Sequence, residues 1–366
     1  MAELFKNIYN TKFINQFSEI LEQVVSDFKR QSFVNSIFNA DWEAMELKQR
    51  MRHISVTLNN HLSTDFEKNA DLILKVIDHL EEQNIRETSI EYMFFPDYIE
   101  VFGLDHYDIS IKAIERITQF TSCEFAVRPF IIKYPEEMIP QLQLWGSHEH
   151  HMVRRLATEG CRPRLPWAMA IPSLKENPNP ILPILEKLKE DATEIVRRSV
   201  ANNLNDIAKD NPKIVIDIAK RWIGKSKELD WVVKHGCRTL LKQGEPKVMK
   251  LFGFGSVDHI EIQNFSINTP SVKVGDSLEF SFQIKNNSKE SSKLRLEYGL
   301  YYQKANGTLS KKVFKISEKE YPANSSTNVT RKQSFKIITT RKFHLGLHQV
   351  SVIVALSENS LFFKIH

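Results

Sequence analysis

A polar run in the middle of the chain carries residue types that suit both charge stabilisation and phosphate binding. It reads RRSVANNLNDIAKD, from Arg197 to Asp210. At helical spacing Arg198, Asn202 and Asn205 share one face, because residues three and four apart lie above one another. Asparagine is a poor residue inside a helix, since its amide competes for backbone hydrogen bonds. Its repeated use predicts a polar ridge, which Asp206 extends by a carboxylate.

The same ridge recurs in two further segments, which predicts a repeat of helix pairs. Three segments align, at offsets of 43 and 37 residues: HMVRRLATEGCR (151–162), EIVRRSVANNLN (194–205) and WVVKHGCRTLLK (231–242). Each follows a helix opened by a proline (Pro135, Pro180 or Pro212), a residue that suits the first helical turn. This period predicts a HEAT-like α-solenoid. The ridge columns are Arg155, Glu159 and Arg162, then Arg198, Asn202 and Asn205, then His235, Thr239 and Lys242.

The other face of the middle segment is expected to build the core. Its apolar stripe consists of Val196, Val200, Leu204 and Ile207. We therefore expect the asparagines of the ridge on the side away from the core. Arg154 and Arg197 are interpreted as structural, because HEAT repeats often place an arginine against an aspartate in the turn between helices. Asp191 is the expected partner of Arg197.

The ridge has two interpretations. A solvated polar face is the simpler one. Cationic and amide side chains in three consecutive repeats instead favour contact with the phosphates of a nucleic acid. Glu159 and Asp206 lie inside this cationic ridge, either to pair with its arginines or to face a cationic group. Trp167 follows in GCRPRLPWAMA (160–170). An aromatic ring beside carboxylates suits a flat, positively charged group on a polyanion, although tryptophan is more often a core residue.

The hydrophobic periodicity of the sequence changes after LFGFG (251–255). SLEFSFQIKNNS, LRLEYGLYY and HQVSVIVAL alternate apolar and polar residues, which is typical of strands, whereas the earlier segments have helical periodicity. Short alternating strands over about 110 residues predict an immunoglobulin-like β-sandwich. We therefore predict a mainly α protein with a HEAT-like domain at 1–256 and a sandwich at 257–366. The sandwich has no cysteine, so no disulfide joins its sheets.

Composition and sequence patterns argue against a membrane-spanning protein and against a secreted, disulfide-bonded one. The chain has 366 residues, 42% of them hydrophobic and 26% charged, and lacks an apolar run long enough to span a membrane. No secretory signal is recognised, and the three scattered cysteines fit a reducing compartment. The formal charge is −10 over residues 1–149, +8 over 150–256 and +7 over 257–366. A polyanion would therefore be held by the second and third parts of the chain.

Four stretches resemble one known family. VRRLATEGCRPRLPW, VRRSVANNLNDIAKDNP, WVVKHGCRTLLKQG and EFAVRPFI (124–131) are similar to the AlkC branch of the HEAT-like DNA alkylation-repair glycosylases, whose sister branch is AlkD. Some AlkC-type proteins also carry a C-terminal immunoglobulin-like domain. The resemblance implies hydrolysis of the N-glycosidic bond of bases such as 3-methyladenine and 3-methylcytosine. It implies Asp206 as the catalytic carboxylate, Glu159 and Glu124 at the base, and Trp167 in contact with the lesion.

The chemistry agrees with these roles. An alkylated base of this kind is cationic and already a good leaving group, so positive charge in the transition state concentrates on the sugar, as in glycoside hydrolysis. Asp206 would stabilise that charge and orient or deprotonate a water, and Glu159 would assist it as the second catalytic carboxylate by favouring the cationic base. The residues expected to hold DNA are Arg155, Arg162, Arg164, Arg198, Asn202, Asn205, His235, Arg238 and Lys242.

The remaining expectations concern partners and location. The partner is double-stranded DNA with alkylated bases, held by a cytoplasmic bacterial monomer that joins the nucleoid when bound. No membrane, metal or cofactor is expected, because HEHHM (148–152) lacks the spacing that places two histidine ligands on one helical face. Lysines of the sandwich, such as Lys311, Lys312, Lys332 and Lys342, suit an auxiliary DNA contact. Two rivals stay open: a non-catalytic HEAT scaffold, and a protein that binds damage without cutting.

Overall fold

A computed structural model describes residues 4–85, 89–337, 343–354 and 357–366. The chain divides into two compact units, Met1–Cys237 and Arg238–His366. This division falls earlier in the chain than the domain boundary predicted between residues 256 and 257, which remains a prediction. Within the described residues, no helix is both long and apolar enough to cross a bilayer.

The first unit is helical. Its helices are α1 (Thr11–Val24), α2 (Arg30–Ile37), α3 (Leu47–Asn60), α4 (Phe66–Glu82), α5 (Phe94–Phe102), α6 (Tyr107–Ile117), α7 (Val127–Lys133), α8 (Pro135–Trp145), α9 (His151–Glu159), α10 (Pro172–Glu176), α11 (Leu182–Leu188), α12 (Glu194–Asp210), α13 (Pro212–Trp222) and α14 (Lys227–Gly236). Within the described residues, short 3-10 helices lie at Phe5–Ile8, Trp42–Ala44, Ile90–Tyr92 and Asn179–Ile181.

The three predicted helix pairs are present as α8–α9, α11–α12 and α13–α14, with α12 packed against both α9 and α14. The predicted apolar stripe of α12 is completely buried. Gly236 permits the close approach of α14, because a Cβ there would lie 3.0 Å from the Cβ of Leu204. The HEAT-like pairing therefore follows from apolar faces and from small residues where helices cross.

Three local predictions were wrong. α9 ends at Glu159, so Arg162 lies in the following turn and not on the helix. The third segment is split, because α14 ends at Gly236 and a separate short helix starts at Arg238. Pro180 lies in a 3-10 turn, and α11 begins at Leu182.

The second unit begins with two short helices, followed by the sandwich. Its elements are α15 (Arg238–Lys242), α16 (Pro246–Leu251), β1 (Ile260–Ile267), β2 (Ser271–Val272), β3 (Ser277–Asn286), β4 (Ser292–Gln303), β5 (Leu309–Tyr321), β6 (Ser325–Ser334), β7 (Gly346–Val354) and β8 (Ser357–Ile365). One sheet has the order β1-β3-β6 and the other β2-β8-β7-β4-β5. The predicted immunoglobulin-like sandwich is confirmed.

Alternation along the strands builds the core between the two sheets. The buried positions include those predicted from the sequence: Leu278, Phe280, Phe282, Ile284, Leu294, Leu296, Tyr298, Leu300, Val350, Val352 and Val354. Lys342 lies outside the described residues, whereas Lys311 pairs with Glu358 and Lys332 with Glu279. The two pairings partly neutralise the positive charge that the lysines bring to the sandwich.

Candidate functional site

A buried arginine joins two carboxylates of neighbouring repeats. Glu159 is the last residue of α9, Asp206 lies on α12, and Arg162 reaches between them from the turn after α9. Its Nη1 donates to Glu159 Oε1 at 2.6 Å and its Nε donates to Asp206 Oδ2 at 2.8 Å. Lys209 Nζ donates to the other oxygen of Asp206 at 2.9 Å. We call these four residues the Arg162 cluster.

Burial makes this cluster costly unless its hydrogen bonds are complete. Glu159 and Arg162 are each 6% exposed and Asp206 is 1% exposed. Burial alone would lower the pKa of Arg162, but the charges of Glu159 and Asp206 outweigh it and raise that pKa above its ordinary value. Ser199 Oγ completes the set by donating to Glu159 Oε2 at 2.7 Å. The result is a preorganised group of fixed charges.

A second acidic group lies on the neighbouring turn before α7. Arg155 Nη1 donates to Glu124 Oε2 at 2.7 Å and to Ser122 Oγ at 2.8 Å, and Ser122 also donates to Glu124. The side chains of Arg155 and Glu124 are only 15% and 17% exposed. Burial opposes ionisation of Arg155, yet the charges of Glu124 and Glu159 raise its pKa. Arg155 therefore pairs with Glu124 directly and interacts with Glu159 electrostatically.

Arg128 fixes the irregular segment that carries Arg162, and the sequence analysis did not single it out. It is completely buried on α7. Its Nη1 donates to the carbonyls of Gly160 and Arg162 at 2.9 and 2.8 Å, and its Nε donates to that of Met169 at 2.7 Å. Burial lowers its pKa to about 10. An arginine between apolar residues in EFAVRPFI was the signal that could have revealed it.

Trp167 lies on this same segment with its side chain exposed. Its indole is 74% exposed and its backbone has φ of +64°. A non-glycine residue in this region costs about 1–3 kcal/mol and persists only when its surroundings hold it. Here the carbonyl of Trp167 accepts a hydrogen bond from Lys48 Nζ at 2.8 Å. Strain of this kind is typical of functional segments.

A cavity of about 460 Å³ joins these groups. It is lined by charged residues of both acidic groups, by Trp167 and by an apolar wall: Glu124, Arg155, Glu159, Arg162, Lys48, Phe5, Ile8, Tyr9, Leu47, Met51, Ile90, Met93, Phe125, Met152, Leu165, Pro166 and Ile195 among others. Asp206 is not among its lining residues and lies behind Arg162. Concave, largely apolar sites with a few convergent polar groups are the usual form of ligand sites.

The polar ridge differs from the predicted one at several positions. Arg198 is exposed, with its guanidinium 5.7 Å from the ring centroid of Trp231 and an ion pair to Glu194. His235 Nε2 lies 3.1 Å from Asn202 Oδ1. Asn205, in contrast, is 4% exposed, so the prediction that it lies away from the core was wrong.

The other predicted DNA-binding cations are divided among different settings. Arg164 forms a bidentate pair with Asp210, at 2.6 and 2.7 Å, and keeps part of its side chain exposed. Arg162 is buried in its cluster, because two carboxylates attract it, so it is not an exposed ridge residue as predicted. Arg238 and Lys242 belong to the second unit, since the predicted long helix is split before them.

Arg154 and Arg197, the two arginines interpreted as structural, both bind the turn before α12, but the partners of Arg197 differ from the prediction. Arg154 forms the bidentate pair with Asp191, at 2.6 and 3.1 Å, in the turn before α12. Arg197 instead donates to the backbone carbonyls of Asp191 and Ala192, so the predicted pairing of the Asp191 carboxylate with Arg197 was wrong. Asn203, which the ridge did not explain, donates its amide to the Thr158 carbonyl at 2.8 Å. It joins α12 to α9.

A metal site and a cysteine nucleophile are two other kinds of chemistry that the histidines and cysteines of the sequence bring into question. Among the residues that the structure describes, no group of three or more histidine, cysteine, aspartate or glutamate side chains could hold a metal. His150 of HEHHM caps α9 by accepting from the Met152 backbone N–H at 3.3 Å. Cys161 lies next to Arg162, but burial raises its pKa to about 12, which removes the thiolate that a nucleophile needs.

The fold and the site define a class of protein: a HEAT-like solenoid with a buried carboxylate cluster beside a cavity, followed by an immunoglobulin-like sandwich. Residues 51–237 match the family described as DNA alkylation repair enzyme. Residues 261–359 match a family described as the C-terminal Ig-like domain of the uncharacterised protein YhaZ. This chain belongs to the DNA alkylation repair enzyme family.

Two relatives extend along almost the whole chain. Uncharacterized protein YhaZ of Bacillus subtilis (strain 168) is 42% identical over 354 residues, which are 97% of this chain and 96% of YhaZ. The structure of the alkylpurine DNA glycosylase AlkC of Pseudomonas fluorescens, bound to DNA containing an abasic site analog, has a TM-score of 0.91 at 28% identity and covers 100% of both chains. The predicted relationship to AlkC-type proteins is confirmed.

Proposed function

We propose that this protein is a DNA glycosylase that hydrolyses the N-glycosidic bond of cationic N-alkylated bases, including 3-methyladenine and 3-methylcytosine. The observation that carries the proposal is the Arg162 cluster, two carboxylates and two cations fixed in a buried network at the edge of a cavity that also presents Glu124 and Trp167. Fixed charges in a site that excludes water act on charge that develops in a transition state more strongly than charges in water.

The chemistry needs little proton transfer to the leaving group. When the bond between the sugar and the base breaks, its electron pair neutralises the cationic base, and positive charge develops on the sugar. A water oxygen then bonds to the anomeric carbon and loses a proton, which leaves a free base and an abasic site. In this scheme Asp206 stabilises the sugar cation and receives or directs the proton of water. Glu159 and Glu124 favour the cationic base, and Trp167 packs against it.

Asp206 must become accessible for this role, since it is almost completely buried. Of the two residues that pair with Asp206, Lys209 can move away at lower cost. Its side chain is 39% exposed, and only its hydrogen bond to Asp206 Oδ1 would have to break. Approaching DNA phosphates would attract this lysine. In this proposal Arg162 keeps its hydrogen bonds to Glu159 and Asp206 and holds the two carboxylates in position.

The partner in this proposal is double-stranded DNA. Arg164, Arg198, Asn202, Asn205, His235, Arg238 and Lys242 are proposed to lie along its phosphates. Arg155 and Arg162 act first on carboxylates, as their contacts indicate. DNA in the AlkC structure supports this choice of partner. We further propose an auxiliary contact of the sandwich with DNA, and a monomeric state.

A damage-binding protein without catalysis is the second candidate, because both Asp206 oxygens are engaged. The experiment is incubation of the protein with DNA treated with a methylating agent, followed by chromatography of the released bases. A glycosylase releases 3-methyladenine or 3-methylcytosine and leaves abasic sites that alkali cleaves. Tight binding to the same DNA with no base released would replace the proposal by the damage-binding alternative.

A further inference from the structure

Lys48 connects the N-terminal helices to the segment that carries the exposed indole. It is the second residue of α3, and its Nζ donates to the Trp167 carbonyl at 2.8 Å across 119 residues of sequence. The ammonium also lies 4.9 Å from the ring centroid of Phe125. The first turn of α3 is itself fixed by a capping box between Glu46 and Gln49. Lys48 is itself exposed, but the helical turn that carries it is fixed and its side chain also lines the cavity.

Trp167 benefits from such a donor because its backbone conformation is disfavoured. Its exposed indole supplies few packing contacts, and its positive φ disfavours the observed conformation. Other support comes from the turn itself, where the Ala168 N–H donates to the Leu165 carbonyl at 3.3 Å, and from Arg128, which donates to the Met169 carbonyl two residues further on. Two cations from α3 and α7 thus hold the carbonyls on either side of Ala168, and among the side chains that the structure describes Lys48 is the one that donates to the Trp167 carbonyl.

We propose that Lys48 is a positioning residue that sets the orientation of the Trp167 indole at the cavity, and thereby the contact of the protein with the alkylated base. The inference rests on the proposed glycosylase function for the identity of the ligand. It assigns a role in the site to a residue that lies before the 51–237 segment matched to the family. Under this proposal the N-terminal helices contribute to the functional site and do not only support the repeats.

A double-mutant cycle tests this role. Lys48→Met keeps the length of the side chain and removes the donor, and Trp167→Ala removes the indole. If Lys48 acts through Trp167, each single variant lowers the single-turnover excision rate about tenfold, and the double variant is no slower than Trp167→Ala. Lys48→Arg should restore most of the rate. Lys12→Met, at an exposed lysine of α1, is the matched control and should leave the rate unchanged.

A second readout does not depend on catalysis. In protein labelled with 5-fluorotryptophan, the fluorine resonance of Trp167 is assigned by its loss in Trp167→Phe. Lys48→Met should shift or broaden that resonance and leave those of the other four tryptophans in place. A sharp, unshifted Trp167 resonance, or additive effects in the cycle, would overturn the inference. Absence of base release by the wild-type protein would instead overturn the proposed function, and the fluorine spectrum would still decide the positioning role.

Discussion

Each unit of this protein buries an arginine between two carboxylates, but the two clusters have different surroundings. In the sandwich, Arg295 donates to Glu297 at 2.6 Å and to Glu318 at 2.5 Å. Arg295 and Glu318 are direct cross-strand partners of β4 and β5, and Lys315 approaches Glu318 at 3.9 Å. The composition of this cluster, one arginine, two carboxylates and one lysine, equals that of the Arg162 cluster.

The difference supports the proposal that the Arg162 cluster belongs to a site, whereas the Arg295 cluster is a structural ion network. The Arg295 cluster joins neighbouring strands within one sheet. The Arg162 cluster joins two repeats, and two of its members line a cavity that also carries Trp167. Burial and charge are therefore shared by both clusters, whereas a cavity and a strained aromatic neighbour belong to the helical cluster.

The largest expected change in stability comes from the sandwich. Arg295→Met should lower the free energy of unfolding of the second unit by about 3–5 kcal/mol, because Glu297 and Glu318, whose side chains are only 5% and 11% exposed, lose their partner. All five tryptophans lie in the first unit. Denaturation followed by the β-sheet circular dichroism should therefore shift, while the tryptophan fluorescence transition stays in place. Equal shifts of both transitions would show that the two clusters are not independent.

Glu159→Gln should act on catalysis instead. The amide keeps the shape and can accept from Arg162, but it loses the charge. Hydrogen bonds to charged groups contribute about 1.5–3 kcal/mol, so the excision rate should fall about tenfold to a hundredfold. Glu297→Gln makes the same change beside Arg295 and is the matched control. Similar losses of excision in both variants would remove the distinction between the clusters.

Arg198→Ala should weaken DNA binding without changing the chemical step. Loss of one phosphate contact reduces the slope of log K against log salt by about 0.9. Glu194→Ala releases Arg198 from its ion pair and should strengthen binding slightly. Binding isotherms at several salt concentrations measure both effects. An unchanged slope in Arg198→Ala would place this residue outside the DNA interface.

The smallest effect concerns the thiols, which also lie in the first unit alone. Burial raises the pKa of Cys161 and of Cys237 to about 12 and that of Cys123 well above its ordinary value. Since the thiolate is the reactive form, labelling at pH 8 by a disulfide reagent should require opening of the helical unit. Arg295→Met should leave the labelling rate of the native protein unchanged. Faster labelling in that variant would show that the stabilities of the two units are coupled.

The sequence predicted what local patterns encode. The stripe from Val196 to Ile207 and the strand alternation around Phe280 gave the fold class, because burial follows periodicity. The pairing of Arg162 with Asp206 could not be predicted, since 44 residues separate them and helix ends decide which groups meet. The contacts of Arg128 and Lys48 could not be predicted for a related reason, because both donate to backbone carbonyls, which carry no sequence signature; the apolar neighbours of Arg128 indicated at most that it is buried. The predicted ridge failed at Asn205, where packing of α12 on both sides overrides a polar face.

The central claim is that the Arg162 cluster performs chemistry whereas the Arg295 cluster maintains structure. The most direct test compares Asp206→Asn with Glu318→Gln, each against the wild-type protein, in single-turnover release of 3-methyladenine from DNA. We expect Asp206→Asn to bind DNA normally and to lose about a hundredfold to a thousandfold in rate, and Glu318→Gln to retain the wild-type rate. Undiminished base release by Asp206→Asn would contradict the claim.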